Sequence, residues 1–293
     1  MLVTVYLNLN PAVERREALE QNFRQYASES WRLVRAEAIS ASDVQSMGIA
    51  GTVRPAEKAC YLTHLAALQS AQQSPTPLWI REDDTRIGRH TASAIEQMLT
   101  ALGTEWDILF TDVLLGDPGL MLKMVRTRQA NPPSQVDALQ LSSIKVFAGA
   151  YSYLVNPAFA PQLYESLATD DISTPYDLAL RKVVLMPVVR AYVTFPFITT
   201  CSEHSTRSAI QPINQRSVHH LWDIFRELMW AETDFGQLDR LIAAFERDGI
   251  ADPYAVYFGK VMAAMAARST LLEGQTEPGS SAASAGRLDA KLR

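Results

Sequence analysis

The chain has 293 residues, 47% of them hydrophobic and 20% charged, with a formal net charge of -5. Such a composition supplies a globular core for one large domain or two small ones and excludes global disorder. The mild acidity, with no long Lys/Arg run, argues against a general nucleic-acid binder, and two cysteines, Cys60 and Cys201, are too few for a disulfide framework or a multi-cysteine zinc module.

Val3–Leu9 reads as a buried strand, and the start of the chain lacks the basic and apolar runs of a targeting segment. No run approaches the ~18 apolar residues of a bilayer span. The expectation is a cytoplasmic protein in a reducing compartment. Pro11 opens a helix to about Tyr26, Trp31–Ala38 is a second strand, and 40–54 reads as a loop. Pro55 suits the first turn of a helix running to about Gln72, and Leu78-Trp79-Ile80 is a short strand leading into Arg81-Glu82-Asp83-Asp84. Ala92–Leu102 is a helix and Trp106–Val113 a strand. The alternation predicts a mainly parallel α/β sheet with helices on both faces, whose ligands sit at the carboxyl ends of strands. Glu82, Asp83, Asp84 and Asp112 all fall at such ends.

The polar stretch 114–142, with Asp117-Pro118-Gly119 and Asn131-Pro132-Pro133, reads as a long loop or lid. Strand character returns at Ser143–Val155. Helices follow at Pro157–Leu167 and Pro175–Val183, and then a strand at Ala191–Phe195. Beyond residue 215 three apolar stripes at helical spacing predict amphipathic helices: Val218 to Met229, Phe235 to Phe245, and Tyr254 to Met265 after the Asp252-Pro253 pair. The expected organisation is a domain over 1–215, a helical extension over 216–269 and a Gly/Ser/Ala-rich disordered tail over 270–293. The helices pack on the domain or on a second copy of the chain. They lack the strongly basic face of a membrane-surface helix, although peripheral contact with the inner membrane face is a weaker alternative.

The acidic run is the most informative feature. Adjacent carboxylates offer hard oxygen ligands that suit Mg²⁺ or Mn²⁺, and such an ion can neutralise a leaving diphosphate. A solvated acidic turn is the plainer alternative. Asp83-Asp84-Thr85 lacks the spaced Asp-x-Asp-x-Thr of a phosphohydrolase nucleophile, and neither Gly-x-x-x-x-Gly-Lys nor Gly-x-Gly-x-x-Gly occurs. Cys60 and His64 lie four apart on one predicted helix, two ligands where zinc needs more. His64 is therefore read as a partly buried, hydrogen-bonded histidine or a group beside a nucleotide, and His219 and His220 as surface or helix-packing residues.

Taken in order, the segments resemble glycosyltransferase family 25, the lipopolysaccharide and lipooligosaccharide sugar transferases. The strand and turn Val5-Tyr6-Leu7-Asn8-Leu9-Asn10, with Arg15 at a later arginine position, resembles the family's opening. Ala56-Glu57-Lys58-Ala59-Cys60-Tyr61-Leu62-Thr63-His64 resembles Gly-Glu-x-x-Cys-x-x-Ser-His, and Arg81-Glu82-Asp83-Asp84 resembles Leu-Glu-Asp-Asp. Gly149–Ala158, Pro175-Tyr176-Asp177 and Ser208-Ala209-Ile210 follow in family order. The resemblance implies a GT-A-like fold and a nucleotide-sugar donor, commonly a UDP-hexose. It also implies Mn²⁺ or Mg²⁺ at Asp84 and Asp83, with inverting transfer to a glycan, lipid-linked or protein hydroxyl. Asn8, Arg15, Glu57, His64, Glu82 and Asp83 are its donor-binding candidates. Asp177 is its first candidate base and Asp112, at a strand end, the second. Asp177 at a helix start can equally bond backbone N–H groups. The chain departs from the pattern at Asn10, Pro11, Ala56, Thr63 and Arg81, which leaves a second class open: a degenerate GT-A scaffold that binds a partner without catalysis.

Overall fold

Six consecutive buried residues make β1 (Val3–Asn8), which runs parallel to its neighbours on both sides. The computed structural model describes residues 2–129, 135–144, 146–205, 216–247, 257–262 and 264–265. After β1 come α1 (Val13–Tyr26), β2 (Arg32–Glu37), α2 (Ala41–Met47), α3 (Pro55–Gln72), β3 (Leu78–Glu82), β4 (Thr85–Ile87), α4 (Thr91–Leu102) and β5 (Ile108–Phe110). Next are β6 (Leu114–Leu115), α5 (Pro118–Gln129), β7 (Asp137–Gln140), a 3-10 turn at Leu141–Ser143, β8 (Phe147–Ala148), β9 (Ser152–Val155), α6 (Ala160–Leu167) and α7 (Tyr176–Val184). The chain continues through β10 (Ala191–Phe195), β11 (Thr199–Cys201), α8 (Arg216–Met229) and α9 (Phe235–Arg247).

The main sheet has seven strands in the order β2-β1-β3-β9-β5-β10-β7. β2, β1, β3, β5 and β10 share one direction, and β9 and β7 run against them. It is thus a mixed, mostly parallel sheet flanked by helices, the expected α/β class. The antiparallel β9 at its centre is what the alternation did not predict. β4 pairs with β11, and β6 with β8, in two small ribbons.

Side-chain alternation along β3 divides the core. Leu78 and Ile80 join the larger cluster with α3, α6 and α8, while Trp79 faces the other cluster with Trp31, Ile95 and Leu154. Glu82 shares the parity of Ile80 and so faces α3. β1 is followed in space by β2 on one side and β3 on the other. This reversal puts a crevice at the carboxyl ends of β1 and β3, the usual ligand position in open α/β sheets.

Two expected loops contain helices. Within 40–54, Ser40 and Asp43 form a reciprocal capping box for α2, and Gly48 closes it at φ 65. Within 114–142, the Asp117 side chain accepts the Leu120 N–H and Pro118 takes the first turn of α5, which buries Met121, Met124 and Val125. The expected lid is therefore a packed helix, and Asn131-Pro132-Pro133 lies outside the described residues. The C-terminal stripes form α8 and α9 and a helical stretch at 257–262. Leu221, Ile224, Phe225, Leu228 and Met229 of α8 belong to the same cluster as the sheet. His220 is buried. The side chains at 216–219 and 245, the Asp252-Pro253 pair, Tyr254 and the tail 270–293 lie outside the described residues. No helix among the described residues is long and apolar enough to cross a membrane.

Candidate functional site

β1 and β3 end side by side, with Leu7 opposite Glu82, so Asn8 comes level with the turn that follows β3. Asn8 is fully buried and donates to Asp83 Oδ2 at 2.7 Å, while its own Oδ1 accepts from Arg35 Nε at 3.1 Å. Arg15 of α1 reaches the same turn. Its Nη1 lies 3.0 Å from Asp83 Oδ1 and 3.6 Å from Asp84 Oδ2, and its Nη2 donates to the His204 carbonyl at 2.9 Å. The backbone is fixed as well, because the Ser202 N–H bonds the Asp84 carbonyl at 2.7 Å and Thr85 Oγ1 bonds the Glu82 carbonyl at 2.9 Å. The structure thus brings Asn8, Arg15, Glu82, Asp83 and Asp84 together. Among the described residues, Asp84 Oδ1 is buried with no hydrogen-bond partner.

Burial raises the Asp83 carboxyl, and Asp84 adds to the rise, while Arg15 and Asn8 oppose it. Glu82 is pushed well up, first by burial and then by Asp84 and Asp83, against the pull of Arg226. A divalent cation would relieve both the crowded negative charge and the unpartnered oxygen, so the donor set fits a hard ion.

His64 lies on the α3 face toward Glu82. Its Nε2 is 3.4 Å from Glu82 Oε1 and its Nδ1 is 3.0 Å from the Tyr153 hydroxyl, which shares a 2.8 Å hydrogen bond with Tyr176. The Tyr176 ring stacks on the imidazole at 4.2 Å. Burial lowers the His64 pKa to about 3, so the ring is neutral at physiological pH.

The remaining candidates stand elsewhere. Glu57 bonds Arg54, through the backbone N–H at 2.9 Å and the guanidinium at 3.0 Å, and caps α3. Asp177, in the first turn of α7, accepts the Gly149 N–H at 3.1 Å on Oδ2 and the Leu178 N–H at 2.9 Å on Oδ1. Gly149 adopts φ 89, and a side chain there would press on the Tyr151 ring. Asp177 is near enough to raise the Glu82 carboxyl further. Asp112, the second candidate base, lies in the interior. Its side chain is wholly buried, and its Oδ2 takes Arg226 Nη2 at 2.7 Å and Nε at 3.2 Å. This ion pair anchors α8, while Asp112 Oδ1 is buried with no hydrogen-bond partner among the described residues.

Sequence reasoning missed Arg226, which also lies 4.1 Å over the Tyr151 ring and 3.6 Å from Asp223. Arg81 stood out in the sequence only as a charged residue at an apolar position, without a role. That guanidinium sits over Trp79, bonds Thr85, and has its pKa lowered to about 9 by burial despite Asp112. A charged residue on an apolar stripe was the available signal in both cases. Beside Asp83 a cleft of roughly 240 Å³ opens between α1, Ser202 to His204, and Gln237 and Arg240 of α9.

The fold and site define an α/β protein with a braced acidic turn at the switch point of its sheet. No family model matches the chain, and no curated protein matches it. Among solved structures it is similar to mouse xyloside xylosyltransferase 1 in its apo form. The likeness covers 66% of this chain and 83% of that one, at 9% identity and a TM-score of 0.34.

Proposed function

We propose that the chain is a glycosyltransferase that moves a hexose from a nucleotide-sugar donor, a UDP-hexose first, to an acceptor hydroxyl with inversion and with a divalent metal. The observation that carries this reading is the turn at Asp83 and Asp84. Two carboxylates stand at the carboxyl end of a parallel strand, beside a crevice, and one of their oxygens is buried without a partner. Asp84 and Asp83 would hold Mn²⁺ or Mg²⁺, which when bound offsets the charge of a leaving diphosphate. Asn8 and Arg15 fix the turn. Glu82 and His64 line its α3 side, and Asp177 would take a proton from the acceptor, a role that rests on the family resemblance. The donor class, the inversion and a glycan, lipid-linked or protein acceptor rest on the resemblance to glycosyltransferase family 25.

Calorimetric titration of UDP, with Mn²⁺ and with chelator, tests the reading. Affinity should be metal-dependent and should fall by about tenfold or more in Asp84→Asn, a difference of ~1.4 kcal/mol. Equal affinity in all conditions would remove the metal assignment. Metal-dependent UDP binding without donor turnover would instead place the chain in the scaffold class.

A further inference from the structure

Cys60, His64 and Glu82 offer a thiol, an imidazole and a carboxylate, with one ligand atom from each within 4.8 Å of the others. They are the one such group of three among the described residues. Their meeting follows from the fold. Cys60 and His64 lie one helical turn apart on α3, so they share a face. β3 delivers Glu82 to that face from the sheet, the third ligand that the spacing of Cys60 and His64 alone lacks.

The 3.4 Å between His64 Nε2 and Glu82 Oε1 is long for an N–H···O bond, whose usual length is about 2.9–3.0 Å. It equals the edge of a tetrahedron centred on an ion ~2.1 Å from each atom, the zinc–ligand distance. The other ring nitrogen, Nδ1, is already engaged by the Tyr153 hydroxyl, itself bonded to Tyr176. With Nδ1–H donating to the Tyr153 hydroxyl and that hydroxyl donating to Tyr176, the lone pair of Nε2 is left for a metal, the arrangement found around metal-bound histidines.

We propose that Cys60, His64 and Glu82 bind a zinc-class transition-metal ion, with a fourth position left to water. Sulfur separates this site from the neighbouring acidic turn: a thiolate favours Zn²⁺, whereas Asp83 and Asp84 offer only hard oxygens. As the Cys60 sulfur–metal bond forms, its S–H proton passes to solvent, and no other bond breaks. Cys60 and Glu82 are partly exposed, which gives the ion a way in. The site shares His64 and Glu82 with the proposed transferase site, but it does not rest on that reading.

The test is a Co²⁺ titration of the chelator-treated full chain, followed by absorbance. The expected result is a thiolate-to-cobalt charge-transfer band that Zn²⁺ displaces, absent in Cys60→Ser. Tyr153→Phe should weaken binding about 10–100-fold. Asp84→Asn should keep the band even where metal-dependent UDP binding is lost, so the two readings fail separately. No charge-transfer band in a chain that circular dichroism shows to be folded overturns the site. So does a band that persists in Cys60→Ser, which would assign the thiolate to Cys201. If Cys60→Ser does not fold, Glu82→Gln decides: about tenfold weaker Co²⁺ binding is expected, and unchanged affinity overturns the site.

Discussion

Asp177 is held at both carboxylate oxygens by backbone N–H groups. That geometry serves a fixed base and a helix-start residue alike, and Asp177→Asn separates them. UDP affinity should be unchanged while transfer falls by about 10²–10⁴, measured by calorimetry and single-turnover assay. Full transfer would remove the base role, and lost folding with proportional loss of binding would assign Asp177 to the helix start. Asp223 gives a pH test at the same scale. Burial pushes its carboxyl up to about 6, against Arg226 and Ser205 and with help from Asp84. The folded pKa lies above the unfolded 3.8, so the folded chain binds more protons between them. The contribution is present below about 3.8 and lost as pH rises through about 6. The unfolding free energy of Asp223→Asn minus that of the parent, from urea denaturation, should therefore rise from pH 4 to pH 7, by an amount on the order of 2 kcal/mol. A flat difference would count against the buried carboxyl.

α8 is tied to the sheet by charge as well as by packing. Arg226 meets Asp112, 114 residues earlier, with both side chains at most 1% exposed, and Glu227 meets Arg86 at 2.8 Å. Removing one partner of a buried pair leaves an uncompensated charge, so Arg226→Met should cost about 3–5 kcal/mol by urea denaturation. Adding Asp112→Asn should restore part of it. Equal losses in the single and double variants would place the cost in packing. The same long separation explains what the sequence could show. The strands β1, β2, β3 and β10, the helix α3 and the acidic run were legible because each is local: an apolar run, a proline-led helix, a strand end. α2 and α5 were hidden by their own caps, since Ser40, Asp43, Asp117 and Pro118 look like loop residues until the following turn is built. The Asp112–Arg226 pair and the approach of Glu82 to Cys60 and His64 depend on which strand lies beside which, and no spacing encodes that.

Across the whole molecule, the helices beyond residue 215 complete the core. The Phe197 N–H bonds the Met229 carbonyl and the Ala231 N–H bonds the Phe197 carbonyl, while Ile224, Phe225 and Leu228 are buried against the sheet. A chain ending at 215 should aggregate or melt well below the full chain, because it exposes that face and strands Asp112. A chain ending at 269 should melt as the full chain does, since the tail it lacks has little apolar surface to bury. Scanning calorimetry of the two truncations checks both outcomes. A well-folded monomer ending at 215 would make the helices an independent unit.

The placement of β9 between β3 and β5 sets an order of assembly. β3 can pair with β1 as soon as it is synthesised, but its other edge waits for β9, whose Ser152 bonds Trp79 across 73 residues. Until then Leu78-Trp79-Ile80 is an apolar edge strand at the middle of the future sheet, the kind of edge that recruits other chains. The acidic turn waits longer still, for the Ser202 N–H and the His204 carbonyl. Its carboxylates are gathered only when nearly the whole α/β body has been made, so a ligand that binds the turn also selects the chains that have closed it.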